Sequence, residues 1–333
     1  MPNAISTLQE LEACVGVAGL GVKMKIIDHL DAAAAKWIGA SPIAFLGLAQ
    51  ADGPRVSAMG GARGFAAVTG KKTLTLPRAA IDEPGELSVG QGAGVLFLIP
   101  GLGETLRANG RISAVREDLV EIGVEECFVH CAKALIRSDF WAAKTSAAPA
   151  DGAALVNASR FLALATMDAE GRIDISPKGD PAGLLIRLDG DRATLAERPG
   201  NRLAFGYRNI VEQPRIAALC IIPGAEEVAQ LRGRAQLTTD EQIRSAFVVD
   251  EKTPILATLI EGVEPRSYAS AALGRAALWP GPHPVPQVDS AETLVAHLKL
   301  NKERGTQATL LRLGANRGLI AKGLESNYKT GLY

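Results

Sequence analysis

The sequence predicts a mainly β protein with flanking helices (α+β), built as two small antiparallel barrels in tandem. Three observations carry that expectation. A seventeen-residue block occurs twice without gaps, the apolar runs are short and punctuated by tight-turn dipeptides, and no long helices alternate with the strands as a doubly wound sheet requires.

The repeated block is "VLFLIPGLGETLRANGR" at 95–111 and "ALCIIPGAEEVAQLRGR" at 218–234, with seven identical positions that include Ile-Pro-Gly and the closing Gly-Arg. Upstream, "FLGLAQADGPRVSAMGG" from Phe45 mirrors "FLALATMDAEGRIDISPKGD" from Phe161. Downstream, "AKALIRSDFW" ending at Trp141 mirrors "SAALGRAALW" ending at Trp279. Three matching blocks in one order indicate tandem duplication.

The elements follow in chain order. Residues 1–25 form a lead whose "GVAGLG", Gly16 to Gly21, imitates a dinucleotide loop but follows no strand. The first domain, 26–143, opens on an entry helix in "IIDHLDAAAAKWIGASP" that stops before Pro42. Alternating apolar runs with Asp-Gly and Pro-Gly turns then read as antiparallel strands, closed by an Ala/Leu-rich helix ending at Trp141. The small, polar linker 144–154 separates this from the second domain, 155–280, which repeats the pattern.

In the C-terminal extension, 281–333, "PGPHPVPQ" reads as an extended surface crossing. Ser290 is placed to cap the helix "AETLVAHLKLNKERG", and "ATLLRLG" reads as a strand. This extension has no counterpart in the first copy, and the surfaces it would cover are an eroded site or a sheet edge.

Composition excludes several functions. Lys+Arg 36 balances Asp+Glu 36, so no net field gathers nucleic acid or an anionic membrane. Cys14, Cys127, Cys131 and Cys220 form no CxxC pair and read as free thiols. No charged signal-peptide region and no membrane-length apolar run is found, so the expected location is cytoplasmic. The cluster "CFVHC" (Cys127, His130, Cys131) has no fourth ligand nearby, and no metal is expected.

The stretch "AERPGNRLAF" places Arg198 and Arg202 around a Pro-Gly-Asn turn after a short apolar run. Gly200 lets backbone approach a ligand, Asn201 tolerates a left-handed conformation, and two guanidinium groups supply forked donors. Such a turn suits a phosphate dianion, and it equally suits a solvated hairpin. Just upstream, "SPKGD" brings Ser176 and Lys178 to a strand end.

Taken together, "FLALATMDAEGRIDISPKGDPAG", "ERPGNR" and "RNIVEQPRIAALCIIPG" resemble the pyridoxamine 5'-phosphate oxidase-related flavoproteins, the FMN-binding split-barrel superfamily. "IPGLGETLRANGR" and "ECFVHCAKALIRSDFW" of the first copy resemble the later half of the same pattern, and the matches span most of 26–280. The resemblance implies a six-stranded split barrel, usually dimeric, with FMN between the two barrels. A duplicated chain then makes that dimer within itself, as an intrachain pseudo-dimer.

On that resemblance, Ser176, Lys178, Arg198, Gly200, Asn201 and Arg202 hold the phosphate side. Glu104, Thr105, Arg107, Lys133, Arg137 and Trp141 approach from the first copy. The opposite pairing joins eroded sets: Lys178 aligns with Gly61, Ser176 with Met59, and Asp82 of "RAAID" replaces Arg202, while Arg107 becomes Gln230, Thr105 becomes Val228 and Lys133 becomes Ala271. An aspartate facing a phosphate is repulsive. One FMN per chain is expected, in an oxidoreductase of unidentified substrate and without an assigned catalytic residue. The alternative is a non-catalytic FMN- or haem-binding protein for storage or sensing. Further homodimerisation is left open.

Overall fold

The computed structural model describes residues 3–200, 202–281, 283 and 287–333; most of the proline-rich crossing lies outside the described residues, as does Asn201. The lead contributes β1 (Ala4–Ile5), α1 (Leu8–Val15) and α2 (Leu20–Lys23). Thr7 and Glu10 form a capping box at the start of α1. The entry helix α3 (Ala32–Ala40) begins where the Asp31 carboxylate accepts from the Ala34 amide at 2.8 Å and ends before Pro42.

The first barrel comprises β2 (Ile43–Leu48), β3 (Arg55–Gly60), β4 (Ala67–Gly70), β5 (Thr73–Pro77), β6 (Gly92–Leu98), β7 (Thr105–Val115) and β8 (Leu119–His130), followed by α4 (Lys133–Arg137). After α5 (Gly152–Ala158), the second comprises β9 (Phe161–Met167), β10 (Ile173–Gly179), β11 (Ile186–Asp189) and β12 (Arg192–Glu197). Then come α6 (Phe205–Glu212), β13 (Arg215–Ile221), β14 (Glu227–Thr238), α7 (Glu241–Ser245), β15 (Leu256–Glu261), β16 (Arg266–Ala269) and α8 (Ala271–Ala276).

Both sheets are antiparallel. Their orders are β3-β2-β6-β7-β8-β5-β4 and β10-β9-β13-β14-β15-β12-β11, so the second is the first with every strand advanced by seven. Strands β1 and β16 add to β14 outside that path. The fold is thus two split barrels written in tandem, each with a seven-strand path where the resemblance implies six. In the first, an isolated bridge from Met59 to Ile81 draws the end of the sheet back on itself.

The pairing corrects the sequence alignment of the first two strands. Ile43 lies opposite Leu98 and Phe161 opposite Ile221, and Leu98 and Ile221 are equivalent in the gapless repeat. Ile43, not Phe45, therefore stands where Phe161 does. Because Ile43 also pairs with Gly60 and Phe161 with Gly179, Lys178 matches Met59 and Ser176 matches Ser57. An even slip keeps every side chain on its own face, so the periodicity gave no sign of it.

Strands β2, β6, β9 and β13 are almost wholly buried, and their sequences read as continuous apolar runs because both faces are covered. One face of β2, with Ala44, Leu46 and Leu48, fills the first barrel around Trp37 and Phe97. The other, with Ile43 and Phe45, joins Leu96, Leu98, Phe140, Phe161, Leu219 and Leu273 in a core shared by both barrels. Phe140 is central there, with ring centroids 4.9 Å from Phe161, 4.8 Å from Trp141 and 5.1 Å from Trp279.

Two glycines fix how the barrels meet. A Cβ on Gly179 would stand 1.9 Å from the carbonyl oxygen of Ala134 in α4, and one on Gly60 would stand 2.6 Å from that of Ala272 in α8. Each barrel thus seats the other's closing helix against a bare backbone position.

The extension holds α9 (Ser290–Leu300), α10 (Thr306–Gly314) and α11 (Arg317–Thr330). Asp289, one residue before the expected Ser290, caps α9 by accepting from the Glu292 amide. The segment "ATLLRLG" is helical in α10, not a strand. A strand needs an edge to pair with, and none meets this segment, so its backbone bonds internally.

Candidate functional site

A cavity of about 380 Å³ opens between the barrels, lined by residues of both and by Cys14 and Val15 of the lead. From the first barrel come Arg107 on β7, His130 at the end of β8, Cys131, and Lys133, Ala134 and Arg137 of α4. From the second, Asp174, Ser176 and Lys178 line it at alternate positions of β10, as the period of two requires, while Ile175 between them enters the shared core. The segment after β12 supplies Arg198, Gly200, Arg202 and Phe205. Arg202 has φ +62° and Ala204 φ +56°, a left-handed pair that turns the chain into α6.

Six cationic side chains line the cavity, namely Arg107, Lys133, Arg137, Lys178, Arg198 and Arg202, against the carboxylates of Asp174 and Glu197. Arg107 pairs with Asp174 in a buried ion pair, and its Nη2 donates to His130 Nδ1 at 3.2 Å. Lys178 donates to Glu197, which also accepts from Tyr207 at 2.8 Å and Thr258 at 2.9 Å. Lys133, Arg137 and Arg202 have no carboxylate within ion-pairing distance among the described residues.

This surplus of positive charge sits in a poorly solvated place. Burial lowers Lys133 and Arg137. Lys25, nearly enclosed over the Phe128 ring, is lowered to about 8, chiefly by burial. Burial, reinforced by Arg107, Lys25 and Lys178, holds His130 well below its ordinary value, so its imidazole is neutral. Tyr207 is pushed well above its ordinary value by burial and then by Glu197, and stays protonated.

Of the residues expected at the site, Ser176, Lys178, Arg198, Gly200, Arg202, Arg107, Lys133 and Arg137 line one cavity. Arg198 is a correction in role. Its Nε donates to Asp180 at 2.6 Å and its Nη2 to the Phe247 carbonyl at 2.8 Å, so it ties the turn to the barrel rather than offering a free fork. Three first-copy residues fall outside the lining. Glu104 accepts from Tyr328 at 2.8 Å and Ser290 at 3.0 Å, anchoring the extension. Thr105 is buried, and Trp141 packs on Phe140 while its indole donates to the Leu102 carbonyl at 2.6 Å.

The sequence also missed residues. Glu197 was visible only as the first letter of "ERPGNR", and Tyr207 as an aromatic one turn into α6. Asn209 neither caps nor lines; its amide donates to Thr166 at 3.1 Å. Cys14 and Val15 arrive from the lead, far in sequence from the motifs. In "CFVHC", Cys127 turns into the first barrel's core, away from His130 and Cys131.

The pseudo-symmetric twin of the cavity is filled from within. Asp82 accepts from the Ser270 hydroxyl and, at 2.7 Å, from the Ala272 amide at the start of α8. Met59 replaces Lys178 there, and Gln230, in place of Arg107, donates to the Val56 carbonyl at 2.6 Å.

Among the described residues, no helix is long and apolar enough to cross a membrane. The family model for pyridoxamine 5'-phosphate oxidase matches residues 149–275. Among curated proteins, none matches the chain. Similar solved structures include HupZ of Group A Streptococcus, with 20% identity, 36% of this chain and 93% of that one covered, and a TM-score of 0.29. General stress protein 26 of Bacillus anthracis gives 12%, 34%, 92% and 0.27, and the haem storage protein HutZ of Vibrio cholerae 12%, 35%, 91% and 0.24.

Proposed function

We propose that this chain binds one FMN in the cavity between its barrels and serves as an FMN-dependent oxidoreductase of the cytoplasm, a reading supported by the match of residues 149–275 to the family model for pyridoxamine 5'-phosphate oxidase. The observation that carries the reading is the charge imbalance: six cations drawn from both barrels face two carboxylates, and three of the cations lack a carboxylate partner among the described residues. A phosphate dianion answers that imbalance.

The residues fit the group in other respects. The cavity volume lies within the range of small-molecule sites. The buried Nε of Arg107 has no hydrogen-bond partner. No heavy atom lies within 4 Å of where a Cβ on Gly200 would stand, which leaves backbone open to a ligand. Leu185, Phe205 and Ile255 give an apolar wall for a ring.

FMN, when bound, supplies the electron- and hydride-accepting ring. Lys133, Arg137 and Arg202 would hold its phosphate. Glu197, gripped by Tyr207 and Thr258, keeps the Lys178 ammonium fixed beside the site, and Asp174 does the same for Arg107. The closed walls exclude bulk water and strengthen each of these interactions.

Haem, storage or sensing is the second reading, since His130 is a neutral imidazole on the cavity wall. Its tautomer argues against iron ligation. Arg107 only donates, so Nδ1 accepts and the proton sits on Nε2; Nε2 must shed that proton, or Nδ1 its bond from Arg107, before binding a metal.

The test is the absorption spectrum of the purified protein with mass identification of what heat releases. The expected result is a flavin spectrum at about one FMN per chain. A Soret band would assign the cavity to haem, and a colourless protein that FMN does not stabilise would sink both readings.

A further inference from the structure

The end of the extension rests against residues that line the retained cavity, Lys133, Arg137 and Arg198. The Tyr328 hydroxyl donates to Glu104 at 2.8 Å and accepts from the Ala132 amide at 3.2 Å, just before α4. Arg137 gives both its Nε, at 2.7 Å, and its Nη2 to the carbonyl of Leu332, and Nη2 also reaches the Pro199 carbonyl at 3.3 Å. The Tyr333 ring lies between two guanidinium groups, 5.4 Å from that of Arg137 and 5.3 Å from that of Arg198. The Lys133 ammonium is 3.6 Å from where a Cβ on Gly331 would stand.

These are the groups that would hold a phosphate: the α4 cations and the Pro-Gly turn. The segment answers them with weak acceptors, a peptide carbonyl, a phenol and an aromatic face. None of these carries the charge of a dianion, so none adds the ion-pair attraction and forked, bidentate fit that a phosphate offers a guanidinium. The segment itself is lightly held, since no residue of 328–333 is fully buried.

We propose that residues 328–333 are a displaceable latch, an internal stand-in at the anion end of the cavity that a phosphate-bearing ligand must expel. The proposal rests on the FMN reading for the identity of the ligand, though not for the existence of the latch. The segment competes with the phosphate for Arg137 and Lys133, so the apparent affinity is reduced by the fraction of chains in which the latch is closed. Loosening it raises affinity without adding any contact.

The experiment compares the unsubstituted chain with Tyr328→Phe, which removes the bonds to Glu104 and Ala132, and Tyr333→Ala, which removes the ring between the arginines. FMN binding is followed by flavin fluorescence, and hydrogen exchange of the 328–333 amides is followed with and without inorganic phosphate. Loss of the hydrogen bonds of Tyr328 or of the cation–π contacts of Tyr333 is expected to tighten FMN about three- to tenfold in each variant, and phosphate should speed exchange across 328–333. Weaker or unchanged FMN binding in both variants overturns the latch and leaves the FMN reading standing. If FMN binds none of the three proteins, that reading fails instead. The latch is then judged by phosphate alone: faster exchange upholds it, and unchanged exchange overturns it.

Discussion

Arg202 and Asp82, aligned across the two copies, do different work in the fold. Arg202 stands on the cavity wall without a carboxylate partner, whereas Asp82 is spent capping α8. Arg202→Asp is expected to weaken FMN binding by about tenfold or more, the loss of one charge-assisted bond. Asp82→Ala should leave FMN affinity unchanged and cost about 1 kcal/mol of stability, as loss of a helix cap does. Flavin fluorescence titration and urea unfolding separate the two effects. Equal effects on affinity would contradict a single composite site.

His130 makes the fold acid-sensitive at the same scale. Its folded-state value lies well below 6.5, mainly through burial. The unfolded chain therefore takes up a proton near pH 6.5 that the folded one refuses. The stability it confers is full above that pH and is lost as pH falls below it. His130→Gln, which keeps an acceptor for Arg107, should flatten the urea-midpoint profile between about pH 6.5 and 5; an unchanged profile would show that other groups set it.

At the scale of elements, α4 and α8 are one helix used twice with different outcomes. Each rests on a glycine of the other barrel, yet α4 brings Lys133 and Arg137 to the cavity, whereas α8 has Ala271 for the lysine and spends its Arg275 on the carbonyls of Gly60 and Ala80. Gly179→Ala puts a methyl group into the Ala134 carbonyl and must push α4 away, so it should lower both stability and FMN affinity. Gly60→Ala meets the Ala272 carbonyl and should lower stability alone. Thermal unfolding and FMN titration of both variants test the asymmetry. The closing helices were legible because their formers and terminal Trp recur. The two-residue slip at β2 and β9, carried on to β3 and β10, was not, because pairing of β2 with β6 and of β9 with β13 sets that register and an even slip leaves the apolar pattern intact. The helix α10 was misread for a related reason: whether an apolar run pairs as a strand depends on an edge elsewhere in the molecule.

For the whole molecule, the shared core behaves as the dimer interface the duplication made permanent. Phe140 sits among Phe161, Trp141 and Trp279 with no exposure. Phe140→Ala is expected to cost about 3–5 kcal/mol, and because both barrels share this core, unfolding should remain one transition. Two separated transitions in calorimetry would show barrels that fold independently.

The sequence by itself determined that the chain is written twice, that its strands are antiparallel, and that Lys133, Arg107, Lys178 and Arg202 have no cation at the aligned position of the other copy. Those features lie in local patterns, turn residues and aligned charges. The tertiary structure alone decided that Arg198 is a strut, that Glu104 serves the extension, that Glu197, Tyr207 and Cys14 reach the cavity, and that the chain's last residues rest on the very arginine expected to meet a phosphate. Each of these depends on contacts between segments far apart in the chain, where burial and partner geometry fix what a side chain does.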